Sequence, residues 1–201
     1  MTMRPKEYLD LAPEAATSLL RFMHIAEKLK DELRHSFTSG GRHESVAEHS
    51  WRVGLLALLM RPYLPNTLDW ERLSEMLIIH DLAEARTGDV PIFDPRQAGK
   101  SEAERAAILE FRNLLPDTVG AKIQELWEEF ERRETLEARV ANALDKLEAQ
   151  IQHNEADIRT WLDWEKRRAI DGFAETGNCH PSLSTLTESV VREATEKIED
   201  T

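Results

Sequence analysis

The feature that most restricts how this chain can fold is an apolar period of three to four residues, repeated along most of its length. In the stretch from Pro13 to Leu33, Leu19, Phe22, Ile25, Ala26 and Leu29 fall on one helical face. Val140, Leu144, Leu147 and Ile151 mark another such stripe, in a sequence rich in Ala, Leu, Glu and Arg with few β-branched runs. The period predicts an all-α chain. Helices are expected over 13–33, from Ser45 to about Met60, from about Asp69 to Arg86, over 101–115, 116–133 and 135–155, within 157–175, and over 182–200. Ser45 with Glu48, and Ser101 with Glu104, have the spacing of capping boxes, and Gly88 is placed to end the third helix. The segment "RHSFTSGGRHE" reads as a loop.

Two of the stripes are not wholly apolar. His49 shares a face with Val53, Leu56 and Met60, and Leu73 and Leu77 continue as His80 and Glu84. Asp81 lies about 100° round the helix from His80, and Asp145 flanks Leu144 at the edge of the Val140–Ile151 stripe. A buried carboxylate costs several kcal/mol unless it is compensated. Two imidazoles and three carboxylates in one interior therefore call for a positive charge, which a divalent cation supplies through a His and Asp ligand set. A lone inward histidine is more often a hydrogen-bonded core residue than a ligand. The joint pattern of His49, the His80–Asp81 pair, Asp145 and the run "EARTGDVP" favours the metal.

Composition sets the outer bounds. A chain of 201 residues suits one domain, here 1–201 with a core over about 15–155 and a helical extension over 156–201. The net charge of −12 argues against a broad nucleic-acid or anionic-membrane surface, and "EKRRA" is too short a basic cluster to change that. Cys179 is the single cysteine, which excludes an internal disulfide and any multi-cysteine zinc site. No apolar run spans a membrane, and "MTMRPKEYLDLAPEAA" lacks the apolar core of a signal peptide. These features lead us to expect a cytoplasmic protein.

The segments "ESVAEHS", "HDLAEARTGDVP" and "ALDKLEAQ" together resemble the H…HD…D signature of the HD-domain metal-dependent phosphohydrolases, and more narrowly their 5′-deoxynucleotidase branch. The likeness covers about residues 15–155 and continues faintly to "NCHPSL". It implies an HD-type helical bundle with His49, His80, Asp81 and Asp145 as metal ligands. It further implies Glu84 as the acidic residue acting on the attacking water and Asp89 as a residue of catalysis and sugar contact. Arg34, fifteen residues before His49, falls where the family binds phosphate, and Arg42 is a second candidate phosphate ligand. The family usually places tryptophan beside that arginine, whereas this chain has His35 there and Phe37 two further on.

The activity implied is hydrolysis of deoxyribonucleoside 5′-monophosphates by a homodimer. Two-metal members of the superfamily insert further histidines before the last aspartate, whereas residues 82–144 here contain none. One divalent transition metal per subunit is therefore expected, with Mn, Co, Fe or Zn all compatible with the ligand set. Two other readings stand beside this one: an HD-type phosphohydrolase of another small nucleotide or phosphate ester, and a catalytically silent helical interaction protein that only holds a metal. Glu84, Asp89 and Arg34 speak against the last, since a structural metal site needs none of them. His24, His43, His153 and His180 read as surface or structural residues, and Cys179 as inert. Trp161 and Trp164, three apart, read as helix packing or as an exposed pair for a dimer interface.

Overall fold

The computed structural model describes residues 10–91, 94–95 and 97–200. The expectation concerning a leader falls largely on residues 1–9, outside the described residues. The chain folds as the helical bundle its periodicity predicts: α1 (Pro13–Ala26), α2 (Val46–Met60), α3 (Trp70–Ile79), α4 (Glu84–Thr87), α5 (Gln97–Leu114), α6 (Asp117–Arg132), α7 (Leu136–Glu155), α8 (Asp163–Asp171) and α9 (Pro181–Glu199). Helix α7 runs through the middle, packed by α2, α3, α6 and α9. It is buried round most of its circumference, so it carries polar residues such as Asn142, Glu148, Gln150 and Asn154 into the interior. Leu73, Leu77, Val140, Leu144, Leu147, Phe111 and Trp127 form the centre of one continuous core. A smaller apolar cluster of Trp161, Ala169 and Ala194 joins α8 to α9.

The Ser45–Glu48 capping box forms as expected. Glu48 N–H donates to Ser45 Oγ (3.3 Å), and Ser45 N–H donates to Glu48 Oε2 (2.9 Å). Ser101 caps nothing: α5 already begins at Gln97, and Glu104 turns instead to Lys100, 3.4 Å away. The first helix is also shorter than its periodicity, passing into a 3₁₀ turn over Glu27–Lys30.

Two differences from the sequence expectation shape the functional end of the bundle. The segment expected as a loop is largely a hairpin, β1 (Leu33–Phe37) against β2 (His43–Ser45), closed through Gly41 at φ 81°. Its register is irregular: Leu33 faces Ser45 and Phe37 faces His43, so four steps on β1 match two on β2. The helix expected to run to Arg86 stops at Ile79, and residues 80–83 form a turn before α4. Bonds of the tighter i to i+3 kind, Leu82 N to Ile79 O (3.0 Å) and Glu84 N to Asp81 O (3.0 Å), replace the helical ladder there. Gly88 ends α4 at φ 73°, a left-handed conformation that favours glycine, and a Cβ there would also press on Glu32 Oε1 at 3.1 Å. No helix among the described residues is long and apolar enough to cross a membrane.

Candidate metal centre

Four side chains from three helical segments converge. His49 projects from the buried face of α2 together with Val53, Ala57 and Met60. His80 caps the C-terminus of α3 and Asp81 follows it in the turn, so the break in the helix presents both at once. Asp145 comes from the edge of α7 that faces them. His49 Nε2 lies 3.0 Å from Asp145 Oδ1 and 3.7 Å from Asp81 Oδ2. His80 Nε2 lies 3.2 Å from Asp81 Oδ2 and 3.8 Å from Asp145 Oδ1. One ligand atom from each of His49, His80 and Asp81 falls within 4.8 Å of the others.

The donor chemistry fits a divalent cation. His80 donates from Nδ1 to the Leu77 carbonyl (2.9 Å), which leaves Nε2 buried without a hydrogen bond and facing two carboxylates. A bare imidazole lone pair opposite two carboxylate oxygens is repulsive unless a positive charge lies between them. Burial alone lowers the His80 pKa, but Asp81 and Asp145 override it and raise it to about 9. Burial would raise Asp81 and Asp145, yet the facing imidazoles hold both below the usual carboxylate range.

Behind His49 lies a layer the sequence reading missed. Its Nδ1 donates to Glu148, which is 1% exposed, and Glu148 Oε1 is paired with Arg52 Nε at 2.7 Å. Glu44 is buried beside them, and burial followed by the Glu148 charge pushes its pKa up to about 7 against the pull of Arg34. A signal for Glu148 was present, since it stands four residues after Leu144 and thus on the buried stripe itself. Orienting a ligand histidine through its other nitrogen is the usual work of such a carboxylate.

In front of the four residues opens a cavity of about 380 Å³, lined among others by Arg34, Asp81, Glu84, Asp89, Lys100 and Asp145. Glu84 is buried, with Lys100 Nζ 3.3 Å from its Oε1 and with no hydrogen bond to Oε2. Burial, then Asp81 and Asp89, raises its pKa to about 9. Arg34 reaches the site from β1, its Nη1 3.4 Å from Asp81 Oδ2 and its Nε 3.4 Å from Glu44 Oε2. Asp89 follows Gly88 with its backbone N–H held by Glu32 Oε1 at 2.9 Å.

Arg42 is not brought to this cavity. Its guanidinium is held by both oxygens of Glu48 on the exposed side of the hairpin, so the capping glutamate of α2 holds the expected phosphate ligand away. His43 stacks on Phe37, with ring centroids 4.0 Å apart, and its Nδ1 lies 2.9 Å from the Arg34 carbonyl oxygen. His180 caps α9 by accepting from Ser182 N–H. His153 does line the cavity, along with His35, Trp164 and Glu165. Trp161 is buried and donates from its indole to the His153 carbonyl (2.9 Å), and Trp164 lines the cavity, so the two form no exposed pair for a partner.

Residues 26–173 match the HD domain family. The 5′-deoxynucleotidase HDDC2 of Xenopus laevis is 30% identical over 186 residues, covering 89% of this chain and 89% of that protein. The human 5′-deoxynucleotidase HDDC2 is 28% identical over 91% of this chain and 89% of its own length. Among solved structures, a crystal structure described as a predicted metal-dependent phosphohydrolase from Magnetospirillum magnetotacticum MS-1 superposes with a TM-score of 0.80. It is 30% identical, and the match covers 92% of this chain and 97% of that one.

Proposed function

The chain belongs to the HD-domain family, and on that premise we propose that it is a metal-dependent 5′-deoxynucleotidase, hydrolysing deoxyribonucleoside 5′-monophosphates to deoxynucleoside and phosphate. The observation that carries this reading is the convergence of His49, His80, Asp81 and Asp145, the two aspartates lining a cavity that Arg34, Glu84 and Asp89 also line. These four residues would hold one divalent metal per chain, with Mn, Co, Fe and Zn all suited to two nitrogens and two carboxylates. When bound, such a cation stabilises charge on phosphoryl oxygens and lowers the pKa of water.

The chain's own groups supply the rest. Arg34 binds the phosphate oxygens and offsets the charge that grows on them during displacement. Glu84 accepts a proton from the water that attacks phosphorus. A bound cation would favour the ionised form of Glu84, the form that can accept that proton. Lys100 keeps the carboxylate pointed into the cavity. The bond from phosphorus to the 5′-oxygen breaks as that oxygen gains a proton, a transfer assigned to Asp89, which lines the same cavity. Preference for a 2′-deoxy sugar is proposed from the likeness to the deoxynucleotidases.

A homodimer is part of the same reading. Trp51, Leu55 and Leu58 form an exposed apolar stripe on α2, with Leu59 beside it and Ile78 exposed on α3. The test of function is phosphate release from a panel of deoxy- and ribonucleotides and simple phosphomonoesters with added Mn²⁺ or Co²⁺. Turnover of deoxynucleoside 5′-monophosphates above the rest is expected, and a protein inert toward every phosphomonoester would overturn the proposal.

A further inference from the structure

Three successive residues of β1, Arg34, His35 and Ser36, all line the cavity. In a regular strand neighbouring side chains point to opposite faces. The irregular register between β1 and β2 removes that restriction, as bulges beside binding sites do. The wall is thereby continued past Arg34 to a second polar cluster, away from the carboxylates and imidazoles of the proposed metal centre.

At that cluster Glu165 is 6% exposed yet lines the cavity. Its Oε2 accepts from Leu162 N–H (2.7 Å) and so closes the N-terminus of α8. Helix capping accounts for that oxygen only. Oε1 has His35 Nε2 at 3.1 Å and His153 Nε2 at 3.6 Å, but neither is aligned as a hydrogen bond, and Oε1 has no hydrogen-bond partner. Burial, then the nearby His35, holds the His153 pKa down to about 4, so this imidazole is neutral, with one N–H and one lone pair, and its Nε2 lies 3.5 Å from Ser36 Oγ. Trp164 lines the same wall.

We propose that His35, His153 and Glu165 form a nucleobase subsite that selects bases bearing an exocyclic amine, guanine foremost. The proposal rests on the reading of the substrate as a nucleotide. A fixed carboxylate oxygen in a partly dry pocket needs a donor. Guanine presents two side by side, its ring N–H and its amino group, while its carbonyl can accept from the neutral imidazole. Adenine and cytosine present an amino group next to a ring acceptor. Thymine and uracil present one N–H between two carbonyl oxygens, both of which the carboxylate repels. A buried polar group left unpaired by the wrong ligand is what makes such sites discriminate.

The test titrates the metal-loaded full chain with 2′-deoxyguanosine and with thymidine by calorimetry, beside phosphate release from the corresponding 5′-monophosphates. Deoxyguanosine is expected to bind about tenfold tighter or more, within the range of a good two-point base contact. The same ratio should appear in kcat/KM, mainly through KM. Glu165→Gln keeps an oxygen for the Leu162 N–H and should reduce the preference to about threefold or less. Equal affinity for the two nucleosides overturns the subsite, as does an undiminished preference in a Glu165→Gln protein that melts like the parent. Should that variant fold poorly, the ratio in the unaltered protein decides the matter alone. A nucleoside preference without hydrolysis of any nucleotide would uphold the subsite and overturn the nucleotidase reading instead.

Discussion

Glu148 determines which nitrogen of His49 faces Asp81 and Asp145. By accepting a hydrogen bond from Nδ1–H it leaves the lone pair on Nε2, and that atom lies 3.0 Å from Asp145 and 3.7 Å from Asp81. A carboxylate on α7 thus sets the tautomer of an imidazole on α2, ninety-nine residues away in sequence.

Weakening this grip should loosen the metal before it touches the fold. In Glu148→Gln the side chain keeps its volume, and one amide oxygen remains for Arg52. Metal affinity is expected to fall about 10- to 100-fold, read by competition with a chelator of known affinity. Unchanged affinity would show that the contact does not orient His49 toward a cation.

Glu84 is assigned to the attacking water rather than to the metal. Glu84→Gln is therefore expected to bind the ion with parental stoichiometry while kcat drops about 10²- to 10⁴-fold. Metal analysis of the purified variant beside its turnover separates the two roles. Loss of the ion would recast Glu84 as a ligand.

The acidity of the site also makes a prediction about stability in chelator. His80 moves from 6.5 up to about 9 on folding, through Asp81 and Asp145 acting against burial, and Glu84 moves from 4.5 up to about 9 through burial, Asp81 and Asp89. Both bind protons more tightly folded than unfolded, so their contribution declines as pH rises: for Glu84 from about 4.5 upward, for His80 from about 6.5, until both have passed about 9. Asp81 works the other way, because its folded pKa lies below 3.8, and its contribution is lost in acid. The melting midpoint in EDTA should therefore peak between about pH 4 and 6 and fall toward pH 9. Bound Mn²⁺ should remove that fall by taking the place of the protons. A midpoint in EDTA that climbs from pH 6 to 9 would contradict this account.

The two candidate arginines are expected to part company. Arg34→Ala removes a charge-assisted contact to phosphate and should raise KM about 10- to 100-fold. Arg42→Ala breaks an exposed pair with Glu48 and a bond to the His43 carbonyl, and should leave KM within about twofold and the melting midpoint little changed. Steady-state kinetics on both variants, with thermal melts alongside, checks the pair.

The apolar stripe on α2 predicts an assembly. Trp51 is 67% exposed, so Trp51→Glu should leave the monomer folded and shift mass measured by light scattering toward a single chain. A parent protein already monomeric at micromolar concentration would remove the dimer from the proposal.

Much of this was written locally. The apolar period marks the helices because side chains three and four apart share a face wherever the helix later docks. The capping box at Ser45 is a contact within four residues, and the inward placing of His49 and His80 follows from the stripes they sit on. Other features were settled only when the helices packed. Whether Asp145 lies within reach of His49, ninety-six residues earlier, depends on how α2 and α7 cross. Lys100 and Glu148 take their roles from partners on other helices, and Arg42, beside the start of β2, is diverted by a glutamate in the first turn of α2. The break after Ile79 is also a tertiary choice. A continuous helix would satisfy the local hydrogen bonds equally well, whereas the tighter turn presents His80, Asp81 and Glu84 to one interior. Pattern along the chain reports which face of an element is buried; distance between elements is decided by the packing that buries it.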